Sequence, residues 1–424
     1  MDDAVKSVRI PFVSNGLKAR WPVGMALVLG VLFSSSAGLA WQGYQMLWQQ
    51  SVRSQAPCAA SLIQPPSDKE RCIRWSPRFA GGPVFHEDLR LILVGSDDNN
   101  LTAFSVRNGE KVYQTELPGN LASQPALTED QHVVMGTEDG FVVKMDATNG
   151  QIAWSVKVDA EILEPPVVDG KNVFVVTGLD SLYALSLASG QAIWQYKQAL
   201  PAGMTLRGQS RPVLHRPLPG APAERVILGH ADGHISFLDA TNGKAIKQVN
   251  LGNDENFADV DTDPVIHGKM VFAASYGKGV YALDIRSGEI KWTLSEKSIT
   301  QLATDGDVLV AAGPQKALAI DLQTRKVRWR TSFTKGAPGR IHLQGGRVHI
   351  PVDLGRVEIL SLSNGQPLQA LGSGLGVSAD IHLNRDLLIY LSNSGYLIAT
   401  TNALLGGSRA VPRTKSVKHP FLEH

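Results

Sequence analysis

From Leu101 onward the polar and apolar positions of this chain repeat one phrase. It reads LTAFSVRNGEKVY, FVVKMDATNGQIAW, SLYALSLASGQAIW, ISFLDATNGKAIK, GVYALDIRSGEIKW, KALAIDLQTRKVRW and VEILSLSNGQPLQ, with marker residues Gly109, Gly150, Gly190, Gly243, Gly288, Arg325 and Gly365. Each copy opens with period-two alternation, the signature of a strand with one buried face. It then passes a polar turn whose glycine takes a positive φ without steric cost. Four residues after the marker an aromatic starts the next strand: Tyr113, Trp154, Trp194, Trp292 and Trp329. A β-branched run such as VFVVTG or VFAASYG precedes each copy. No helical periodicity of useful length follows residue 72.

A self-similar period near 40 residues, carried by strands, predicts an all-β propeller with four antiparallel strands per blade. Seven copies are complete, and an eighth unit, IHLNRDLLIYLSNSGYLIATT, supplies three strands. The spacing therefore predicts eight blades, seven being the alternative. The last blade is expected to take its missing outer strand from Cys72–Phe79, so that both chain ends close the ring and leave no open sheet edge. Tryptophans at one fixed place per blade read as inter-blade packing.

Before the repeat lies WPVGMALVLGVLFSSSAGLAW, Trp21 to Trp41, which carries no charge. At helical rise it covers about 30 Å, the hydrocarbon thickness of a bilayer. Lys6, Arg9, Lys18 and Arg20 precede it against Asp2 and Asp3, which places the N-terminus in the cytoplasm and the body outside. A cleaved signal peptide, with Gly38 and Ala40 at the small-residue positions, is the alternative. The expected layout is a cytoplasmic segment (1–20), a transmembrane helix or signal (21–41), a periplasmic linker (42–71), the propeller (72–403) and a basic disordered tail (404–424). Residues 42–70 fully extended would span at most about 100 Å. Cys58 and Cys72 are the two cysteines of the chain. In an oxidising compartment they are expected to pair; two unrelated thiols is the alternative.

Charge and motifs remove several function classes. The formal net charge is +2, and the excess of positive charge lies in the first 20 residues and the tail, so the body is slightly acidic and offers nucleic acid no electrostatic footprint. No G-x-S-x-G, P-loop or dinucleotide fingerprint occurs. DVDTDP, Asp259 to Pro264, starts like a calcium loop but has Pro264 and Met270 where an EF-hand needs glycine and glutamate. His230 and His234 flank a hairpin turn. No catalytic residue, metal ligand or cofactor is therefore assigned.

Binding remains. Two stretches interrupt the repeat, MTLRGQSRP and NFADVDTDP, each between the last strand of one blade and the first of the next. They are expected to emerge as neighbours on one face, presenting Leu206 and Arg207 beside Asp259 and Asp261. That combination suits a protein interface; an internal Arg–Asp bridge is the alternative reading.

The same residues resemble a known family. LRGQS-x-P followed by DVDT-x-P and ALD-x-RSG-x-I-x-W is similar to the BamB family, the propeller subunit of the outer-membrane β-barrel assembly machinery. The likeness runs from about Ile73 to Thr401 and is strongest from Met204 to Trp292. It implies a non-enzymatic scaffold of the Gram-negative envelope that docks on a periplasmic POTRA domain of a BamA-type protein, alongside other assembly-machinery subunits. By match, Met204, Leu206, Arg207, Asp259 and Asp261 would bind the partner. Members of that family are commonly lipoproteins, whereas here no cysteine closely follows the apolar run, so the anchor would be the helix. The repeat also resembles that of quinoprotein dehydrogenases, but their adjacent cysteine pair and calcium-binding acids are missing. A propeller serving another inner-membrane or periplasmic complex is the other binding reading.

Overall fold

The computed structural model describes residues 43–52, 81–96, 98–121, 123–199, 210–217, 223–252, 259–333, 335–372 and 376–402. The apolar run 21–41, both cysteines and the basic tail lie outside these residues. Among the described residues no helix is long and apolar enough to cross a membrane.

Eight four-stranded antiparallel sheets follow one another along the chain. Blades one to seven occupy residues 84–116, 126–157, 167–197, 213–250, 265–294, 301–332 and 342–371, each with strands paired in chain order. The eighth joins His382–Asn384, Leu387–Leu391 and Tyr396–Thr401 to Gln45–Ser51, which pairs antiparallel with Tyr396–Thr401. The eight-blade expectation is met, and the ring closes through the two ends of the sequence.

The closing strand differs from the expected one. It is Gln45–Ser51 and not Cys72–Phe79, so part of the segment read as linker belongs to the propeller. Three residues of sequence, Gln42 to Tyr44, lie between the apolar run and this strand. The alternation around Trp48 explains the choice. QMLWQQS reproduces the exposure pattern of AIWQYK and IAWSVK, with every second side chain turned inward.

The two middle strands of each blade are apolar on both faces because each sheet is sandwiched between two others. Leu93 and Leu101 of blade one, for example, pack on Met135 and Val143 of blade two, all at 0% exposure. Outer strands alternate between half-buried and exposed. Each outer strand also carries a register irregularity, as at Ala184/Leu185 and Ala319/Ile320, which bends it and increases the local twist.

An aromatic latch joins neighbouring blades beside that irregularity. The indole N–H groups of Trp154, Trp194 and Trp329 donate to the carbonyls of Leu187, Ala240 and Leu362 at 3.1, 3.1 and 2.8 Å. Tyr113 donates its hydroxyl to Ala147 at 2.7 Å. Each ring lies flat on the marker glycine of the next blade. A Cβ at Gly365 would stand 2.6 Å from Trp329 Cε3, at a φ of +71°. The expectation that the tryptophans pack between blades is met.

Candidate functional site: the connector face

The connectors that leave an outer strand and enter the next inner strand all open on one face of the ring. That from Ala192–Lys197 to Val213–His215 and that from Ala245–Asn250 to Val265–His267 join consecutive blades, and residues 200–209 and 253–258 within them lie outside the described residues. Met204, Leu206 and Arg207 lie outside the described residues. Asp259 and Asp261 are described, and they differ from the expected exposed pair. Asp259 is at 0% exposure, and Asp261 is half-buried.

The burial follows from how the DVDT segment is strapped down. Val260 donates its N–H to the His230 carbonyl at 3.1 Å, and Asp259 accepts from the Tyr276 N–H at 3.1 Å. Thr262 accepts from the Ala274 N–H at 2.8 Å. A Cβ at Gly229 would lie 2.2 Å from the Val260 carbonyl oxygen, so the backbones of blade four and the connector touch. Among the described residues Asp261 Oδ1 has no hydrogen-bond partner. Burial, reinforced by the carboxylates of Asp259 and Asp263, pushes the Asp261 carboxyl up to about 7.

At the root of the connectors, around the axis, sits a charge cluster that sequence reading missed. Arg211, Asp263, Arg340 and Asp380 occupy the same place in four blades, two residues before the inner strands at Val213, Val265, His342 and His382. Glu164 stands three residues before Val167 in blade three. Arg340 Nε donates to Asp263 Oδ2 at 2.8 Å and Nη1 to Asp380 Oδ2 at 2.7 Å. Its Nη2 reaches Glu164 Oε2 at 3.3 Å. His342 Nε2 lies 2.7 Å from Asp380 Oδ1.

The electrostatics split the carboxyls. Burial and the neighbouring Asp263 push Glu164 up to about 8, against the pull of Arg340 and Arg211. Burial also opposes the charge on Asp380, but His342 and Arg340 hold it well below the usual carboxylate range. The signal in the sequence was positional: an acid or arginine just ahead of several inner strands. It emerges only once the copies are aligned by their strand pairing and not by their turns.

One further cluster has the outline of catalytic machinery. Asp180 Oδ1 lies 2.8 Å from His230 Nδ1, and His230 Nε2 lies 2.8 Å from Ser236 Oγ. The three residues are 3%, 1% and 0% exposed. Tyr196, Gln198 and Gln248 extend the network, with Gln248 Nε2 donating to Ser236 Oγ at 3.2 Å. A nucleophile must reach its substrate, and this serine is sealed between blades three and four, so the arrangement ties those blades together. His234 pairs instead with Asp232. Among the described residues no group of three or more His, Cys, Asp or Glu side chains could hold a metal ion.

Residues 97–331 match the family model of the outer membrane protein assembly factor BamB. The chain belongs to this family. BamB of Shewanella oneidensis is 32% identical over 178 residues, covering 41% of this chain and 43% of the relative. BamB of Yersinia pestis is 27% identical over 245 residues, 54% of this chain and 58% of the relative, and BamB of Escherichia coli is 28% identical over 246 residues, 54% and 61%. The chain thus spans about half the length of the curated relatives it matches. The crystal structure of BamB from Moraxella catarrhalis superposes with a TM-score of 0.68 at 18% identity, covering 85% of this chain and 100% of that one. A quinohemoprotein alcohol dehydrogenase from Pseudomonas putida HK5 superposes with a TM-score of 0.60 at 12% identity over 74% of this chain and 72% of its own. At such identities these likenesses describe the propeller fold alone.

Proposed function

We propose that this BamB-family propeller is a non-enzymatic scaffold of the Gram-negative cell envelope that assists outer-membrane β-barrel assembly by docking its connector face on a POTRA domain of a BamA-type protein. The observation that carries this reading is the tie between the roots of the two repeat-breaking connectors, where Asp263 Oδ1 accepts the Arg211 N–H at 2.8 Å. There a half-buried Asp261 holds an oxygen that no described residue satisfies. The rest of Asp261 is partly exposed, and a guanidinium or ammonium group of a partner placed beside it would lower its pKa. Met204, Leu206 and Arg207 would supply the neighbouring apolar and cationic contacts from the other connector. Asp259, being buried, would act by holding the shape of its connector. The family match supports a scaffold role, and the burial of Ser236 agrees with it.

In this reading residues 21–41 anchor the chain in the inner membrane with the propeller in the periplasm. The Cys58–Cys72 bridge belongs to the excursion between the closing strand and blade one. The test is capture of envelope proteins by the full chain in detergent, comparing wild type with Arg207→Glu and Asp261→Arg. A POTRA-bearing protein retained by wild type and lost at least tenfold in each variant, at unchanged melting temperature, is the expected result. Equal capture by all three would remove the connectors from the interface. Retention of an unrelated envelope complex would leave the propeller in the service of another partner.

A further inference from the structure

The residues that fix the connector face are not on its surface. Blade three and blade seven are four places apart in a ring of eight and so stand opposite each other across the axis. Arg340 of blade seven nonetheless reaches Glu164 of blade three at 3.3 Å, while holding Asp263 of blade five and Asp380 of blade eight. One side chain thus joins four blades at the connector end of the axis. Asp263 then passes the restraint outward. Its Oδ2 accepts from Arg340, and its Oδ1 accepts the backbone N–H of Arg211 at 2.8 Å.

That last bond has a location that matters. Arg211 is the second residue after the connector 201–209, and Asp263 ends the DVDTD stretch of the other connector. Next to it, Ser210 exchanges hydrogen bonds with the Gly229 backbone, accepting its N–H at 2.6 Å and donating to its carbonyl at 3.1 Å. The two interrupting connectors are therefore tied to each other at their roots by Asp263, and Asp263 is oriented from across the ring by Arg340.

We propose that Arg340 is a positioning residue for the connector face: an axial clasp whose hold on Asp263 sets the spacing of the two connectors that the proposed function uses. A guanidinium is suited to this, since it offers five donors in a fixed planar fork and its charge survives burial. Burial works against that charge here, yet Asp263, Asp380 and Glu164 together raise its pKa above the ordinary arginine value. The docking arm of the test rests on the function proposed above; the structural arm does not.

The experiment is hydrogen exchange by mass spectrometry on the full chain in detergent, with capture of the POTRA-bearing protein run in parallel. Wild type is compared with Arg340→Met, Arg340→Lys and a control, Arg330→Met, whose guanidinium pairs with Glu296 on the outer surface. In Arg340→Met, exchange in the 210–214 segment should accelerate about tenfold or more. The amide of Gly150, bonded to Asp146 in blade two, should stay as protected as in wild type. Capture should fall at least tenfold. Arg340→Lys keeps the charge but not the fork and should lie between the two. Unchanged protection at 210–214, or loss of protection at Gly150 to the same extent, would overturn the clasp. Lost protection with no partner captured even by wild type would uphold the clasp and sink the docking reading. Should Arg340→Met not accumulate as folded protein, Arg340→Lys is judged by the same two amides.

Discussion

Trp48 donates its indole N–H to the carbonyl of Val106 at 2.9 Å. The first described strand thereby makes the same latch to blade one that Trp154, Trp194 and Trp329 make between later blades. Its ring covers Gly109, where a Cβ would stand 2.7 Å from Trp48 Cε3. Ahead of it, Tyr44 and Gln369 exchange hydrogen bonds at 2.7 and 2.9 Å, tying the same segment back to blade seven. One short N-terminal stretch thus spans three blades.

Trp48→Ala should therefore cost about 3 kcal/mol, in the range for losing a large aromatic from a packed site. Urea denaturation measures it. Because the latch closes the ring, limited proteolysis should cut first near residues 43–52 in the variant. A loss below about 1 kcal/mol would mean that the strand pairing alone holds the closure.

Gly365 and Arg325 occupy the same turn position, at φ +71° and +60°. Glycine tolerates that conformation and arginine is strained in it, so the two sites predict opposite signs. Arg325→Gly should stabilise by about 1 kcal/mol as left-handed strain is relieved. Gly365→Ala should destabilise by about 2 kcal/mol, since strain adds to a clash with the Trp329 ring. Paired thermal melts of the two variants decide it.

The dependence of stability on pH should have two limbs. Glu164 is raised from 4.5 to about 8, so across that interval the native state binds a proton that the unfolded chain has lost. Stability from this group declines as pH rises through that interval and levels off above it. Burial lowers His349 and His382 from 6.5 to about 4, so the unfolded chain takes up protons first and stability declines as pH falls from 6.5 toward 4. His349 has a specific stake: its Nε2 lies 3.2 Å from the Tyr44 hydroxyl of the closing segment. Asp261, pushed up to about 7, adds its own loss of stability with rising pH. Melting temperature should therefore decline from about pH 6.5 toward 8 and vary less between 4.5 and 6.5, where the carboxyls oppose the histidines. Glu164→Gln should flatten the alkaline limb, and His349→Gln should reduce the acid one. An alkaline limb unchanged in Glu164→Gln would place the titration elsewhere.

Ser236 should be unreactive toward a fluorophosphonate probe in the folded protein, despite its 2.8 Å contact with His230. Ser236→Ala should cost about 1–3 kcal/mol, the range for leaving buried polar partners unsatisfied. Labelling of native protein at Ser236 would instead reveal access between blades three and four and revive a hydrolytic role.

The blades were readable in advance because strand alternation, the turn glycine and the latch aromatic recur together every 40 residues or so. Copies lacking one of the three were harder. Trp48 has its aromatic but no turn ahead of it in sequence, since its partner strand lies at Tyr396–Thr401. The connector face was legible as an interruption, because Leu206 to Ser210 and Asp259 to Asp261 break a regular pattern. What could not be read was which side of the fold each aspartate would face. Asp259 is held by the Tyr276 backbone, 17 residues away in sequence, and its neighbour Val260 packs on Gly229 of blade four. The axial cluster was opaque for a further reason. Arg340 and Glu164 are 176 residues apart and meet only across a closed ring.

Closure by the two ends also imposes an order on synthesis. Gln45–Ser51 is among the first strands made, yet its partner, Tyr396–Thr401, comes about 350 residues later. At about 5–20 residues per second, the early strand waits for something on the order of half a minute. Throughout that interval Met46 and Leu47, 61% and 42% exposed even in the finished ring, sit on a strand whose backbone donors and acceptors are unmatched. In the finished propeller one side of that strand is paired with Tyr396–Thr401, whereas in the nascent chain neither side has a partner until nearly the last residue of the ring is available. Attendance by a holding chaperone would matter most in that period.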